Sequence, residues 1–341
     1  MSAVLLGLAV AWLAFVVLHR VLTGRLWLWL LPDLIPPASY LGIPLVLLAI
    51  SVPTGQFWTA GVALAGLVIC ADHSGLNRHR LARPSEAPSG ALRVLSWNTE
   101  YWDQADNAKG LYEFLQASRA DIYVLQERLY GTHHHQQAVP DLPRLRTEFP
   151  GYQIATAGEL LTLSRFPIIG THSVGPKVLR CDIQLDSGIL SVYNVHIPAQ
   201  YVGSDKLLTR DFLSQLHGRN SARRHEFDAL HADVAANPNP VLVTGDFNST
   251  GAMGELRRLF RQLRSANHAA RRLWPASWPA GGPALWQLDW TFTRGLRVHR
   301  YELGDPRGIS DHRTQELLIS MGGTNHDRTQ APAEVSARAD Q

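Results

Sequence analysis

Residues 2–18, SAVLLGLAVAWLAFVVL, contain no charged side chain and reach about 25 Å as a helix, close to the thickness of a bilayer's hydrocarbon core. Residues 34–52 and 57–71 repeat that character, so the first 72 positions read as a transmembrane region of about three helices. A signal peptide is the competing reading of the first segment. The missing basic n-region and the further apolar sequence favour spans. Trp27 and Trp29 follow Arg25, and Pro32, Asp33, Pro36 and Pro37 interrupt the second apolar stretch, which suits an interfacial loop.

The rest of the chain is of a different kind. Residues 73–90 are polar, basic and rich in Pro, Ser and Gly, as in a juxtamembrane linker near anionic headgroups. Residues 91–321 have the length and patterning of one globular domain, and residues 322–341 have no apolar periodicity and read as a disordered tail. A net charge of +3 permits an anionic substrate without demanding nucleic acid. Two cysteines, Cys70 and Cys181, are too few for a disulfide framework and leave the redox compartment unread.

Within the globular part, strands are predicted at 91–97, 121–126, 160–164, 178–185, 189–195, 241–245, 286–292, 296–302 and 313–319. Helices are predicted at 107–118, with Leu111, Phe114 and Leu115 on one face, and at 205–216, 220–236 and 252–264. Asp186-Ser187-Gly188 joins two strands directly, which indicates an antiparallel hairpin.

Several of these strands deliver a polar group at their end. The run Leu242-Val243-Thr244-Gly245-Asp246-Phe247-Asn248 places an acid and an amide two residues apart, hence on one side of the chain. Alone, that run is equally an ordinary Asx turn. It is joined by Ser96-Trp97-Asn98, Leu125-Gln126-Glu127, Asn194-Val195-His196, Leu288-Asp289-Trp290 and Ser310-Asp311-His312.

In these stations, and in their order, residues 91–320 resemble the endonuclease/exonuclease/phosphatase superfamily of metal-dependent phosphoesterases. The resemblance implies an α/β (α+β) fold, a four-layer sandwich of two mixed, mostly antiparallel sheets flanked by helices. It implies a site built from Asn98, Glu127, His196, Asp246, Asn248, Asp289, Asp311 and His312, with Glu127, Asn98 and Asp311 at the metal. Carboxylate and amide donors suit a hard cation, so Mg2+ is expected, with Mn2+ as a substitute. His312 matches the family's phosphate-contacting histidine, and Asp289 the acid that orients it. His196 matches the histidine on the leaving-group side, and Glu159 lies near its acidic partner's strand at an offset that sequence does not fix.

Other polar clusters read more simply. His133-His134-His135 suits an exposed loop, and Arg223-Arg224 and Arg257-Arg258-Arg261-Arg264 suit solvated helix faces or headgroup contacts. Membrane attachment favours a lipid-linked phosphate, phosphodiester or pyrophosphate as substrate. A membrane-tethered nuclease acting on DNA or RNA is the enzymatic alternative, and a silent phosphate- or lipid-binding module the alternative of another class. The Arg20, Arg25, Arg78, Arg80 and Arg83 bias places the catalytic part in the cytoplasm, whereas some membrane-tethered bacterial relatives carry it outside.

Overall fold

The computed structural model describes residues 2–71, 73–77, 86–102, 108–132, 135–200 and 209–322. His133 and His134, much of the linker, residues 201–208 and nearly all of the predicted tail lie outside the described residues.

The N-terminal region forms three helices, α1 Ser2–Leu22, α2 Ser39–Ser51 and α3 Phe57–Cys70, with two 3-10 turns at Trp27–Leu30 and Pro32–Leu34. Among the described residues only α1 is by itself long and apolar enough to cross a membrane. The turns at 27–34 and α2 qualify as a pair bent by 60°, and α3 is shorter. Pro36 and Pro37 account for the break, since proline lacks the N–H that a continuing helix needs.

Beyond them lie β1 Leu92–Asn98, α4 Ala108–Ser118, β2 Ile122–Gln126, β3 Leu129–Thr132, β4 His135–Ala138, α5 Leu142–Glu148, β5 Gln153–Ala157, β6 Leu160–Ser164 and β7 Ile168–Gly175. The chain continues through β8 Val178–Leu185, β9 Gly188–His196, α6 Arg210–Ala236, β10 Val241–Asp246, α7 Arg257–Gln262, β11 Arg264–Ser265, β12 Asp289–Arg294, β13 Leu296–Gly304 and β14 Thr314–Met321. Two six-stranded sheets result, ordered β13-β14-β1-β2-β6-β5 and β11-β12-β10-β9-β8-β7. Within these two sheets β1 with β2 and β9 with β10 pair in parallel and the other neighbouring strands pair antiparallel, including the predicted hairpin at Asp186-Ser187-Gly188.

Strand alternation builds four layers. Inward residues such as Val94, Val124, Ile183, Val192, Leu242 and Leu317 form the core between the sheets. Their outward neighbours Leu95, Trp97, Tyr123 and Leu125 pack with Leu111 and Leu115 of α4 and Leu145 of α5. On the other face Tyr193, Val195, Val243 and Phe292 meet Phe227 and Leu230 of α6 and Leu259 of α7.

Two predicted helices, 205–216 and 220–236, are one 27-residue helix, α6. Gly218 lies between the two predicted ranges, but a glycine in a helix interior costs only about 1 kcal/mol, and the buried stripe Phe212, Leu216, Asn220, Arg223, Phe227, Leu230, Val234 runs straight through it. The predicted helix 252–264 is instead a 3-10 turn at Gly254–Leu256 leading into the short α7.

The helical region docks on the globular part at the loop after β10. Gly254 N–H donates to Thr23 Oγ1 at 3.0 Å, His19 Nε2 lies 3.3 Å from the Ala252 carbonyl, and Arg257 Nη1 donates to the Arg20 carbonyl at 2.6 Å. A Cβ on Gly254 would stand 2.2 Å from the Thr23 carbonyl oxygen, so the backbones touch where only glycine fits. Val16, Tyr40, Cys70 and Ala252 form one apolar cluster across the junction.

Candidate active site

The inner faces of the sheets turn from apolar to polar toward one end. Along β10 the inward residues are Leu242, Thr244 and Asp246; along β9 they are Val192, Asn194 and His196; along β2 they are Ile122, Val124 and Gln126. The middle of this progression is a buried hydrogen-bonded layer. Gln126 Nε2 donates to Asn194 Oδ1 at 2.7 Å, Thr244 and Thr291 hydroxyls meet at 2.7 Å, and Thr291 and Tyr301 donate to Gln315 Oε1, each at 2.9 Å. Buried polar groups are tolerated only when so paired, and the pairing fixes the relative height of the strands.

Register then lifts the next residues to one level. Asp246 stands opposite His196 on one side and Asp289 on the other, and Asn98 stands opposite Gln126, the residue before Glu127. Gly245, at φ +144, allows β10 to pass where a Cβ would lie 2.0 Å from the Val195 carbonyl oxygen. Glu127 and Asn248 hold positive φ of 58° and 44°, conformations that non-glycine residues adopt rarely and that turn both side chains at the strand ends.

Asp246 is the hub. Its Oδ2 accepts from Asn98 Nδ2 at 3.0 Å and Asn248 Nδ2 at 3.1 Å, while Asn248 N–H donates to Oδ1 at 2.7 Å. The Nε2 atoms of His196 and His312 each stand 3.8 Å from that same Oδ2. Asn98 Nδ2 also donates to Glu127 Oε1 at 3.0 Å, which joins the two carboxylates through one amide.

Each histidine has a buried acid behind it. His312 Nδ1 pairs with Asp289 Oδ2 at 2.8 Å, and the backbone of His312 is held by Trp97 Nε1 on its carbonyl and Ser310 Oγ on its N–H. His196 Nδ1 pairs with Glu159 Oε1 at 2.7 Å, and Lys177 Nζ bonds the same oxygen. Burial opposes charge on both imidazoles, but the facing carboxylates outweigh it. His312 is held well above its usual range by Asp289 and Asp246, and His196 is raised to about 9 by Glu159, Glu127 and Asp246. Burial also works to raise Glu159, yet His196 and Lys177 bring it down to about 2. Asp246 moves the other way, lifted above the carboxylate range by burial and by Asp289 against the pull of the histidines.

Asn98, Glu127, His196, Asp246, Asn248, Asp289 and His312 therefore converge. Asp311 stands at the rim, its side chain 40% exposed, with Oδ2 accepting from Trp278 Nε1 at 2.7 Å and Oδ1 3.8 Å from His312 Nε2. Two acids join them that the sequence did not assign. Glu159 stands behind His196, and Glu100 accepts from the Asp311 N–H at 2.8 Å and has its carboxyl raised by burial, then by Asp311 and Glu127. The Asn98-Thr99-Glu100 spacing of two was the available signal for Glu100; Glu159 needed the pairing of distant strands.

The donor chemistry fits a hard divalent cation. Burial, then the nearby carboxylates of Asp311 and Glu127, raise the proton affinity of Glu100, a repulsion that a divalent ion relieves, and Asp289 Oδ1 is buried without a hydrogen-bond partner. Among the described residues the tightest group of metal-capable side chains is Asp246, Asp289 and His312, whose ligand atoms lie within 4.8 Å of one another. A cationic imidazole has no free lone pair to donate, so the state in which Asp289 and Asp246 hold His312 turns it away from ligation.

Arg223 is not on a solvated face. It is fully buried, with Nη2 and Nε on the Glu255 carboxylate, Nη2 also 2.6 Å from Ser249 Oγ and Nη1 2.5 Å from the Pro198 carbonyl. It clamps the loop that follows Asp246, which Thr23 also holds. Arg258, by contrast, makes an exposed pair with Asp228.

The sequence profile of the Endonuclease/Exonuclease/phosphatase family matches residues 95–312. No curated protein matches the chain. Among solved structures, an endonuclease/exonuclease/phosphatase family protein from Bacteroides thetaiotaomicron superposes with TM-score 0.50 at 15% identity, covering 71% of this chain and 98% of its own. One from Bacteroides vulgatus does so with TM-score 0.50 at 18% identity, covering 68% and 99%.

Proposed function

The chain belongs to the endonuclease/exonuclease/phosphatase family and is a hydrolase of phosphoester bonds, and on that premise we propose a membrane-anchored, Mg2+-dependent phosphoesterase that acts on a lipid-linked phosphate, phosphodiester or pyrophosphate. The observation that carries the lipid reading is the docking of the apolar helices against the site. Thr23 and His19 hold the loop that begins at Asp246, and Trp286 Nε1 donates to the Leu34 carbonyl while its neighbour Trp278, with ring centroids 5.3 Å away, donates to Asp311. A substrate anchored in a bilayer would meet this rim at high effective concentration.

In this reading Glu127, with Asn98 and Asp311, holds the ion, which when bound neutralises charge on the phosphoryl oxygens. Asp246, with its raised proton affinity, orients the attacking water and accepts its proton. Asn248 steadies that carboxylate through two hydrogen bonds and contacts the phosphate. His312, kept cationic by Asp289, clamps the scissile phosphate, and His196, charged by Glu159, faces the leaving oxygen and can return a proton to it.

Purified protein assayed with lipid pyrophosphates, phospholipids and plasmid DNA, with and without EDTA, tests the proposal. EDTA-sensitive turnover of a lipid substrate is the expected result. Metal-dependent nicking of DNA with no lipid turnover would replace it with the tethered-nuclease reading, and binding without turnover of any probe with the silent module.

A further inference from the structure

Helices α1 and α2 both pack against α3 but scarcely against each other. On the side away from α3 this leaves a groove of about 640 Å³, lined by Leu8, Ala11 and Trp12 of α1 and by Gly42, Val46 and Leu47 of α2 among others. Its volume lies within the roughly 300–1,000 Å³ usual for ligand sites. Its lining along α2 runs from Ser39 to Leu47, about 12 Å of helix. Apart from Ser39 and the buried indole N–H of Trp12 the wall is apolar or backbone, so it suits a hydrocarbon chain and not a phosphate.

One end of the groove, at Ser39, lies toward the catalytic part. Ser39 begins α2 just after the 32–34 turn whose Leu34 carbonyl receives Trp286, and Trp286 stacks by Trp278, which holds Asp311. On the α1 side, the Trp12 ring lies 5.9 Å from Tyr40 and belongs to the cluster that includes Ala252, four residues after Asn248. Two separate strings of contacts thus lead from an apolar channel to the two sides of the same site.

We propose that this groove seats the hydrocarbon chain of the substrate, one chain laid lengthwise between α1 and α2 while its phosphate enters beside Asp311. The inference rests on the lipid-linked reading above and adds where the chain is held. It makes the helices part of the substrate site as well as an anchor.

Gly42 gives a direct test, because a Cβ there meets nothing within 4 Å and a larger side chain would fill the groove without displacing a neighbour. Gly61, on α3 and outside the lining, is equally free and serves as the control. Full-length protein in detergent would be assayed on matched probes that differ only in chain: p-nitrophenyl hexadecyl against p-nitrophenyl methyl phosphate, and farnesyl against isopentenyl pyrophosphate. Wild type should prefer the long-chain member of at least one pair. Gly42→Leu should raise KM for that member by about tenfold or more, the loss of a few methylenes from apolar contact, and leave the short member unchanged. Gly61→Leu should leave both unchanged. A wild-type preference that survives Gly42→Leu overturns the groove and leaves the lipid-linked reading standing. Absence of any preference, or of turnover of all four probes, overturns that reading and the groove with it.

Discussion

Asp246 touches more of the site than any other side chain, and the consequences of its removal are correspondingly specific. Asp246→Asn keeps the shape and its hydrogen-bond acceptor but not the charge, and His312→Ala removes the clamp that Asp289 orients; each is expected to lower kcat by about 10² or more with the fold intact by circular dichroism. Asn98→Ala should act on the metal instead. Its amide ties Glu127 to Asp246, and loss of such a support is expected to weaken Mg2+ binding about 10–100-fold, read as a shift in the Mg2+ dependence of rate. The identities of these residues were legible because each stands at or beside the end of an apolar strand, Asn98, Glu127 and Asp246 at its close and Asp289 and His312 at its start. Glu159 was not legible as the partner of His196, since the contact joins residues 37 apart whose meeting depends on how the two sheets face each other.

At the level of elements, α6 and the loop after β10 form one mechanical unit. Arg223→Ala would leave the Glu255 carboxylate buried and unpaired, which is expected to cost about 3–5 kcal/mol, measured as a fall in the chemical-denaturation midpoint. The double variant Arg223→Met with Glu255→Leu should recover most of that stability, because removing both charges together leaves no buried charge unpaired. Activity of the double variant should stay low if the clamp positions Asp246. Reading Arg223 as solvated followed from its neighbour Arg224 and from the general preference of arginine for the surface. The stripe spacing along α6 already held the contrary signal, with Arg223 three residues after Asn220 and four before Phe227. Strands were read closely because alternation is a local property. The elements β3, β4, β5, α5, β7 and β11 were missed: all but β7 have too few residues for periodicity to register, and β7 is a half-exposed run, IIGTHSVG, without apolar alternation.

For the whole molecule, the junction predicts that the helical region supports the catalytic part. Excising residues 1–77 would strip Gly254, Ala252 and Arg257 of their partners, and the truncated protein should unfold at lower temperature and turn over soluble phosphoesters more slowly. Full-length protein should remain with membranes after alkaline carbonate extraction. A reporter fused after Gln341 is expected on the cytoplasmic side, as the arginine bias predicts; an extracytoplasmic signal would direct the substrate search to lipid carriers on the outer face. Chelation by EDTA should abolish turnover and millimolar Mg2+ restore it.

Sequence by itself marked out the apolar N-terminal stretch, most of the longer strands, and the polar residue types near their ends, because hydrophobic periodicity and local turn chemistry are written in neighbouring positions. Tertiary structure alone decided which strand ends share a level, which acid stands behind His196, that Arg223 is a buried clamp, and that the apolar helices rest against the rim of the site. Those outcomes depend on sheet register and on the packing of surfaces distant in the chain, and no local pattern encodes them.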